Sequence, residues 1–254
     1  MPLPLENKLA LVTGASGSIG SAVAKRLAQD GASILVHYSS GREGAAAVVA
    51  EIQQAGGSAE MIGADLNLHD GPAALIAQID GAFDGRFAGR LDVLVNNAGT
   101  LSMALLPDAT DEDFDRAFNV NVRATFQLSR EAARRMTKAG WGRIINMGSI
   151  FGEGAYSPGL SIYCGTKFAV QGLTRGWSRD LGPKSVTVNN IQPAVIQSEP
   201  HPIEGPVFDS MKKFTSVGRF GKPEEIAEAV AFLASPKAGF INGESLTVDG
   251  GWSA

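Results

Sequence analysis

The sequence predicts a doubly wound α/β fold, with one seven-stranded parallel sheet covered by helices on both faces. Short, nearly continuous apolar runs alternate with amphipathic helical patterns, which is typical of parallel strands buried on both faces. The chain has 254 residues, and 44% of them are hydrophobic, enough for one large core. No internal repeat or low-complexity segment interrupts the alternation. We therefore expect a single domain over residues 1–254.

The elements alternate from the first strand onward. LALVTG (9–14) predicts a strand, and the helical spacing in IGSAVAKRLAQDG predicts a helix that ends at Gly31. SILVHY predicts the second strand, EGAAAVVAEIQQAGG a helix, and AEMIGAD and LDVLVNNAG two further strands. The segment from Thr110 to Met136 predicts one long helix, with Thr110 and Asp113 as a capping box.

The second half continues the pattern. GRIINMGS predicts the fifth strand, residues 161–181 a helix, SVTVNNIQP the sixth strand, PEEIAEAVAFLAS a helix and ESLTVDGG the seventh strand. The irregular, proline-rich piece QPAVIQSEPHPIEGPVFDSM follows the sixth strand. An irregular piece of this length in a compact domain is usually functional, so we expect a substrate lid at about residues 194–216. The alternative is a mobile surface loop.

Composition and charge exclude several classes of function. The formal net charge is −4 and no basic stripe is visible, which argues against a nucleic-acid partner. The single cysteine, Cys164, fits a reducing compartment, and the N-terminus carries no signal-peptide pattern or membrane span. We expect a cytoplasmic, soluble protein. His37, His69 and His201 are scattered, so no metal site is expected.

The glycine-rich turn TGASGSIG (13–20) lies between the first strand and the first helix. Glycines let the backbone approach a pyrophosphate, and the helix N-terminus supplies N–H donors. The turn therefore predicts a dinucleotide cofactor. Its predicted cofactor-binding residues are Gly14, Ser16, Gly17, Ser18, Ile19 and Gly20.

The end of the second strand predicts which dinucleotide binds. An acidic residue there would bind the ribose hydroxyls of NAD, but the sequence continues HYSSGREG without an acid before Glu43. Ser39 and Ser40 can donate hydrogen bonds, and Arg42 can pair with a phosphate. With Tyr38, these residues favour NADP(H), and NAD(H) stays possible. The alternative is that Arg42 is a solvated residue at the start of a helix.

SIYCGTKFAV (161–170) carries a tyrosine and a lysine four residues apart, on one face of a predicted helix. Reduction of a ketone by hydride leaves a negative oxygen that needs a proton. Tyr163 can supply that proton, and a nearby Lys167 ammonium would lower the pKa of the phenol. The alternative is a chance pair in which Tyr163 packs at the edge of the core.

The glycine turn, NNAG at 96–99, and Tyr163-x-x-x-Lys167 together resemble the short-chain dehydrogenase/reductase family. The resemblance covers essentially the whole chain, down to VDGG at 248–251, and is closest to 3-oxoacyl-[acyl-carrier-protein] reductase-like ketoreductases. It implies a Rossmann fold and a homotetramer.

The resemblance also implies roles for individual residues. Tyr163 and Lys167 would form the catalytic pair and touch the cofactor, Ser149 would bind the substrate carbonyl, and Asn121 would hold a water of a proton relay. Further cofactor contacts would come from Asp65 and Leu66 at the adenine, Asn97, Ala98 and Gly99 along the ribose, and Pro193, Ile196 and Ser198 at the nicotinamide.

Three features depart from the family pattern. The glycine spacing is Gly14-x-x-Gly17-x-x-Gly20 instead of the usual TGxxxGxG. Ala194 follows Pro193 where glycine is usual, and the segment from Ser149 to Tyr163 is longer than in relatives. Because that segment borders the substrate pocket, the resemblance does not identify the substrate.

We expect an NADPH-dependent enzyme that reduces a ketone to a secondary alcohol. The alternatives are an NAD-dependent alcohol or sugar-alcohol dehydrogenase working in the oxidative direction, and a catalytically inactive cofactor-binding regulator. A carrier-protein substrate would need a basic patch at the pocket mouth. Arg130, Arg134 and Arg135 are candidates for that patch, with a solvated helix face as the alternative.

Overall fold

The computed structural model describes residues 2–198 and 203–254. Its seven-stranded parallel sheet has the order β3-β2-β1-β4-β5-β6-β7, which confirms the predicted fold class. The strands are β1 (Leu9–Val12), β2 (Ser33–Tyr38), β3 (Ser58–Gly63), β4 (Val93–Asn96), β5 (Gly142–Met147), β6 (Val186–Pro193) and β7 (Ser245–Val248).

Helices cover both faces of the sheet. They are α1 (Ser18–Gln29), α2 (Arg42–Gln54), α3 (Gly71–Ile79), α4 (Asp111–Phe118), α5 (Thr125–Ala139), α6 (Ser161–Leu181), α7 (Pro206–Met211) and α8 (Pro223–Ala234). Alternate residues of β1 enter opposite cores: Val12 packs in the cluster that holds α1 and α8, and Leu11 packs in the cluster that holds α3 and α5. This alternation explains why every residue of β1 is buried.

The order of the strands creates the crevice in which ligands bind in such folds. β1 pairs with β2 on one side and with β4 on the other, so the chain winds in opposite directions from this point. The loops that follow β1 and β4 therefore diverge and leave an opening beyond the carboxyl ends of the strands. The predicted site motifs follow β1, β2, β4, β5 and β6, and all of them meet at this edge.

The single long helix predicted over 110–136 is interrupted in the structure. A π-helical turn, Asn119–Ala124, separates α4 from α5, whereas the capping box of Thr110 and Asp113 is present as predicted. The turn surrounds Asn121, whose side chain bonds outside the helix: Nδ2 donates to the Thr100 carbonyl and to Thr166 Oγ1, and Oδ1 accepts from Thr100 N. These tertiary bonds hold an extra residue in the turn, and single π turns of this kind are frequent at functional sites.

The predicted lid at 194–216 is only partly irregular. It contains α7 and a 3₁₀ turn, Lys212–Phe214, while Pro200 and Pro202 lie outside the described residues. Its far end rests on the C-terminal turn, because Val217 N donates to the Gly250 carbonyl and the Phe214 ring lies 5.4 Å from the Trp252 ring. The far end of the segment is thus held by the turn that follows β7.

None of the described helices has both the length and the apolar character of a membrane span.

Candidate active site

A continuous cleft runs along the carboxyl edge of the sheet. Three adjoining cavities of about 540, 310 and 250 Å³ form it. The first two share Gly14 and Ala98, and the last two share Ile19 and Asn97. Gly99 lines all three. An extended ligand can therefore contact the end of β2, the glycine turn and the start of α6 at once.

The glycine turn forms the floor of the middle cavity. Gly14 has a φ of +63°, and an added Cβ there would lie 3.0 Å from Ala98 Cα. A Cβ on Gly20 would meet the Gly14 carbonyl and would lie 2.7 Å from Asn97 Nδ2. Gly17 stands at the N-cap of α1 and has no side chain to cap the helix, so the helix N-terminus opens into the cavity. Close backbone approach and uncapped N–H groups fit a pyrophosphate.

The unusual glycine spacing has a structural counterpart. The Ser18 hydroxyl donates to the Gln197 carbonyl at 3.3 Å and so joins the turn to the base of the lid. An added Cβ on Gly17 would make only an ordinary contact, 3.4 Å from the Gly14 carbonyl. The turn therefore depends sterically on Gly14 and Gly20, while Ser18 contributes a bond that a glycine there could not make.

The largest cavity lies at the end of β2. Ser39, Ser40, Asp65 and Leu66 line it, as the sequence predicts for the adenosine end of a cofactor. Ser16 also lines it. The exposed Arg42 lies beside the cavity, where its Nη1 donates to Tyr38 Oη at 3.2 Å. Arg42 and Tyr38 therefore contact each other next to the cavity, but neither lines it.

His37 is a site residue that the sequence analysis missed. Its ring is buried, its Nδ1 accepts from Gly14 N at 3.0 Å, and its Nε2 lies 3.1 Å from the Ala64 carbonyl. Because a carbonyl can only accept, the proton sits on Nε2 and the ring is neutral. Burial also lowers the His37 pKa. The imidazole thus holds the glycine turn against β3, a role that only its position beside the turn could have indicated.

Thr13 is a second missed residue, and it orders the NNAG turn. Its hydroxyl oxygen accepts from Asn97 N and from Ala98 N, each at 2.9 Å. The Asn97 side chain returns a bond to the Thr13 carbonyl at 2.8 Å. These bonds tie the ends of β1 and β4 together and hold Asn97, Ala98 and Gly99 along the wall of the cleft.

Three of the four predicted catalytic residues line the innermost cavity. Ser149 follows β5, and Tyr163 and Lys167 lie one turn apart on α6. Lys167 Nζ donates to the Met147 carbonyl at 2.7 Å and lies 5.4 Å from the centre of the Tyr163 ring. The structure therefore brings together the hydroxyl, the phenol and the ammonium that the sequence selected.

The ionisation of this group differs from the expectation that Lys167 lowers the phenol pKa. Burial raises the pKa of Tyr163, and a hydrogen bond from Ser149 opposes that shift only in part. Burial also lowers the pKa of Lys167 to about 8. The cause is the same for both, because a low-dielectric site disfavours each charged form. Tyr163 is consequently a protonated phenol at neutral pH, as a proton donor must be.

Asn121 lies behind this cavity. A Cβ added to Gly99 would lie 3.4 Å from Asn121 Oδ1 and 3.8 Å from Lys167 Nζ, so these two side chains flank the same glycine. Both N–H groups of the Asn121 amide donate to protein acceptors. That Asn121 holds a water of a proton relay stays a prediction.

The segment after β6 forms part of the cleft wall, and its predicted contact with a nicotinamide stays a prediction. Pro193 and Ala194 line the innermost cavity, and Ile196 and Ser198 line the middle one. A parallel bridge between Ile196 and Gly221 holds the segment in place.

The predicted arginine patch is not at the mouth of the cleft. Arg135 is paired with Asp80 and Glu131, Arg134 with Glu131, and Arg130 lies over the Phe126 ring. Arg134 and Arg135 lie in the half of α5 that leads toward the amino end of β5, whereas Arg130 lies in the first half; none of the three lines a cavity of the cleft. Over residues 2–198 and 203–254, no group of three or more metal-ligating side chains is present.

Known proteins resemble this chain over nearly its whole length. The family model described as enoyl-(acyl carrier protein) reductase matches residues 14–253. The cyclic-di-GMP-binding biofilm dispersal mediator protein of Escherichia coli is 34% identical over 248 residues, 97% of this chain and 98% of that protein. D-threitol dehydrogenase of Mycolicibacterium smegmatis is 37% identical over 256 residues, 98% of this chain and 94% of that protein.

Solved structures show the same fold. A short-chain dehydrogenase of Burkholderia cenocepacia in complex with NADP has a TM-score of 0.90 and 40% identity, covering 99% of this chain and 100% of that one. The landomycin C-6 ketoreductase LanV, with bound NADP and rabelomycin, has a TM-score of 0.89 and 34% identity, covering 98% of this chain and 97% of that one.

Proposed function

This chain belongs to the short-chain dehydrogenase/reductase family, and from that premise we propose that it is an NADPH-dependent ketoreductase. The reaction reduces a ketone to a secondary alcohol. The observation that carries the proposal is the convergence of Ser149, Tyr163 and Lys167 in one cavity that continues to the glycine turn. The NADP complex and the ketoreductase among the similar structures support it.

The residues of the cleft fit a nicotinamide dinucleotide, which when bound supplies the hydride. Gly14, Gly20 and the N-terminus of α1 would hold the pyrophosphate. Ser39, Ser40 and Arg42 would hold a 2′-phosphate, since the sequence has no acid at the end of β2 that would repel it. This charge pattern supports NADP(H) over NAD(H).

Within the innermost cavity, Ser149 Oγ would donate a hydrogen bond to the substrate carbonyl and so stabilise the developing oxyanion. The Tyr163 phenol would give its proton to that oxygen as the hydride reaches the carbon. The Lys167 ammonium, one turn away, would stabilise the phenolate that remains until a proton returns from solvent. One hydride and one proton thus convert the ketone to the alcohol.

Oxidation of a secondary alcohol is the second candidate. The same residues catalyse it in reverse, with Tyr163 as the base, and the similarity to D-threitol dehydrogenase supports this direction. The absence of a ribose-binding acid after β2 favours the reductive, NADPH-linked direction. A cytoplasmic location and a homotetrameric assembly complete the proposal.

The test is the variant Tyr163→Phe, assayed by NADPH consumption against a panel of ketones with NADH in parallel. Loss of the phenolic proton should reduce turnover by about 10²–10⁴-fold. NADPH binding, followed by fluorescence, should stay within about threefold of the wild type. If Tyr163→Phe keeps full turnover, the proposed proton donor is wrong. If the wild type binds NADPH but turns over no ketone and oxidises no alcohol, the chain is an inactive cofactor-binding regulator.

A further inference from the structure

Resting on the proposed ketone reduction, we propose that the substrate is an uncharged ketone with an aromatic ring, and not a coenzyme A or carrier-protein thioester. The inference concerns the mouth of the innermost cavity. Three segments border it: the loop after β4 (98–110), the loop after β5 (148–162) and the first residues of the lid (194–198). The first two are joined by a hydrogen bond from Ala104 N to the Gly159 carbonyl at 2.9 Å.

The charge of these segments disfavours an anionic partner. None of the three contains a lysine or an arginine, and together they carry acidic residues. The acids are Asp108 and Glu153, whereas Asp209, farther along the lid, is paired with Lys212. Coenzyme A brings several phosphate charges, which proteins bind with arginine and lysine. A negatively charged mouth would repel it and would repel an acidic carrier protein in the same way.

An aromatic row leads from the proposed proton donor toward solvent. The Phe151 ring lies 6.0 Å from the Tyr163 ring at an interplanar angle of 68°, and 5.7 Å from the Tyr156 ring at 70°. Both contacts are edge-to-face, the geometry that aromatic rings prefer. Phe151 N donates to Ser149 Oγ, so the row is tied to the group that would hold the carbonyl. A further ring on the substrate would extend this row.

The loop after β4 carries exposed apolar side chains, and one of them lines the innermost cavity. Leu101 lines the cavity with Ser149 and Tyr163 and is 54% exposed. Along the same loop, Met103 is 69% exposed and Leu106 is 78% exposed. Exposed apolar side chains that border a site are often covered by the ligand of that site. A small polar ketone would leave it bare, whereas a fused ring system would cover it.

Two matched substrate pairs test the proposal. 2-Tetralone and 2-decalone share a bicyclic frame and an unconjugated carbonyl, and differ in the aromatic ring. We expect the wild type to prefer 2-tetralone in kcat/KM by about fivefold. Acetoacetyl-N-acetylcysteamine and acetoacetyl-coenzyme A share the reacting group and differ in charge. We expect the neutral thioester to be the better substrate, by a margin that shrinks in 0.5 M NaCl.

Two variants, each with a control, test which residues cause the ring preference and the charge preference. Tyr156→Leu removes an exposed ring of the aromatic row and should bring the ratio of kcat/KM for 2-tetralone to that for 2-decalone close to one. The control is Phe240→Leu, which removes a fully exposed ring on the opposite edge of the sheet and should leave this ratio unchanged. Met103→Lys should raise the coenzyme A-to-N-acetylcysteamine ratio. The control Leu3→Lys also adds a lysine at an exposed apolar position, but near the amino ends of the strands, and it should leave this ratio unchanged.

The proposal is overturned if 2-decalone equals 2-tetralone, or if acetoacetyl-coenzyme A equals or exceeds the neutral thioester in kcat/KM at low salt. It is also overturned if Tyr156→Leu leaves the ring preference intact. Failure of the proposed function has a different signature, because then no ketone in either pair consumes NADPH, whatever its ring or charge.

Discussion

Two buried ionisable residues, Lys167 and His37, show how single side chains are adapted to the cleft. Lys167 is buried with one hydrogen bond, to the Met147 carbonyl, and its pKa falls to about 8. His37 is buried as a neutral ring between the glycine turn and β3. In both cases burial disfavours the charged form and lowers the pKa below its ordinary value.

The Lys167 pKa predicts a pH-dependent cost to stability. The folded pKa lies below the unfolded value of 10.5, so unfolded chains bind more protons between about pH 8 and 10.5, and stability rises with pH there. Lys167→Met should therefore raise the free energy of unfolding at pH 7 by up to about 3 kcal/mol, and the gain should vanish toward pH 10.5. Denaturant titrations at both pH values check this. Lys184→Met, at an exposed position, is the control, and a gain independent of pH would refute burial of the ammonium as the cause.

The His37 bond to Gly14 predicts a paired effect on cofactor binding. Asn can supply an acceptor near the position of Nδ1, whereas Leu keeps the bulk but leaves the Gly14 N–H without a partner. His37→Leu should weaken NADPH binding by about tenfold, and His37→Asn by no more than about threefold. Fluorescence titration with NADPH measures both. Equal losses in the two variants would show that packing matters and the hydrogen bond does not.

At the scale of elements, the interrupted helix and the lid are the features that shape the pocket. The π turn between α4 and α5 aims Asn121 at the loop after β4, so that loop and α6 are joined through one amide. The lid is tied at its near end by the Ile196–Gly221 bridge and at its far end by Phe214 and Trp252. The elements around the substrate are thus positioned mainly by contacts distant in sequence.

The far anchor of the lid predicts an effect on its mobility. Trp252→Ala removes the ring beside Phe214 and should increase proteolytic cleavage within residues 203–216 by about threefold or more, because local opening costs less. Cleavage timed by mass spectrometry measures this, and bound NADPH should not reverse it fully. Phe232→Ala, at an exposed ring on α8, serves as the control. Equal cleavage in both variants would mean that Trp252 does not hold the lid.

At the scale of the whole molecule, the exposed side of α6 bears on the proposed homotetramer. An added Cβ at Gly172 or at Gly176 would have no neighbour within 4 Å among the described residues, and Phe168 on the same helix is exposed. Glycine within a helix lowers stability by up to about 1 kcal/mol relative to alanine. The described part of the single chain shows no contact that requires glycine at these two positions. Close approach of a second chain at this face would give the glycines a role.

If the exposed face of α6 contacts a second chain, sedimentation should detect both the tetramer and its loss in a variant. The wild type should sediment at four times the mass of the chain at micromolar concentration. Gly172→Arg should shift it to smaller species, because a long charged side chain would occupy the space of the partner. Gln54→Arg, on the exposed side of α2, should leave the mass unchanged. A wild-type monomer would contradict the tetramer, and an unchanged Gly172→Arg would exclude α6 from the interface.

The fold class, the order of the strands along the chain and many of the residues that line the cleft could be predicted from the sequence alone. Period-two and period-3.6 patterns are local properties, and so are glycine turns and motif residues that follow strands. In a parallel sheet the carboxyl ends of neighbouring strands share one edge. Motifs that follow β1, β4, β5 and β6 had to meet there once the fold class was known.

Several features could not be predicted without the tertiary structure: the π turn at Asn121, the hydrogen bonds of His37 and Thr13, the helix inside the lid and the direction of the Tyr163 pKa shift. The same holds for the finding that the three arginines of α5 do not line the cleft. Each of these depends on contacts between residues far apart in sequence or on burial, which no local pattern records. The sequence could therefore select the reacting groups, while packing set their protonation states, their neighbours and the surface that the substrate meets.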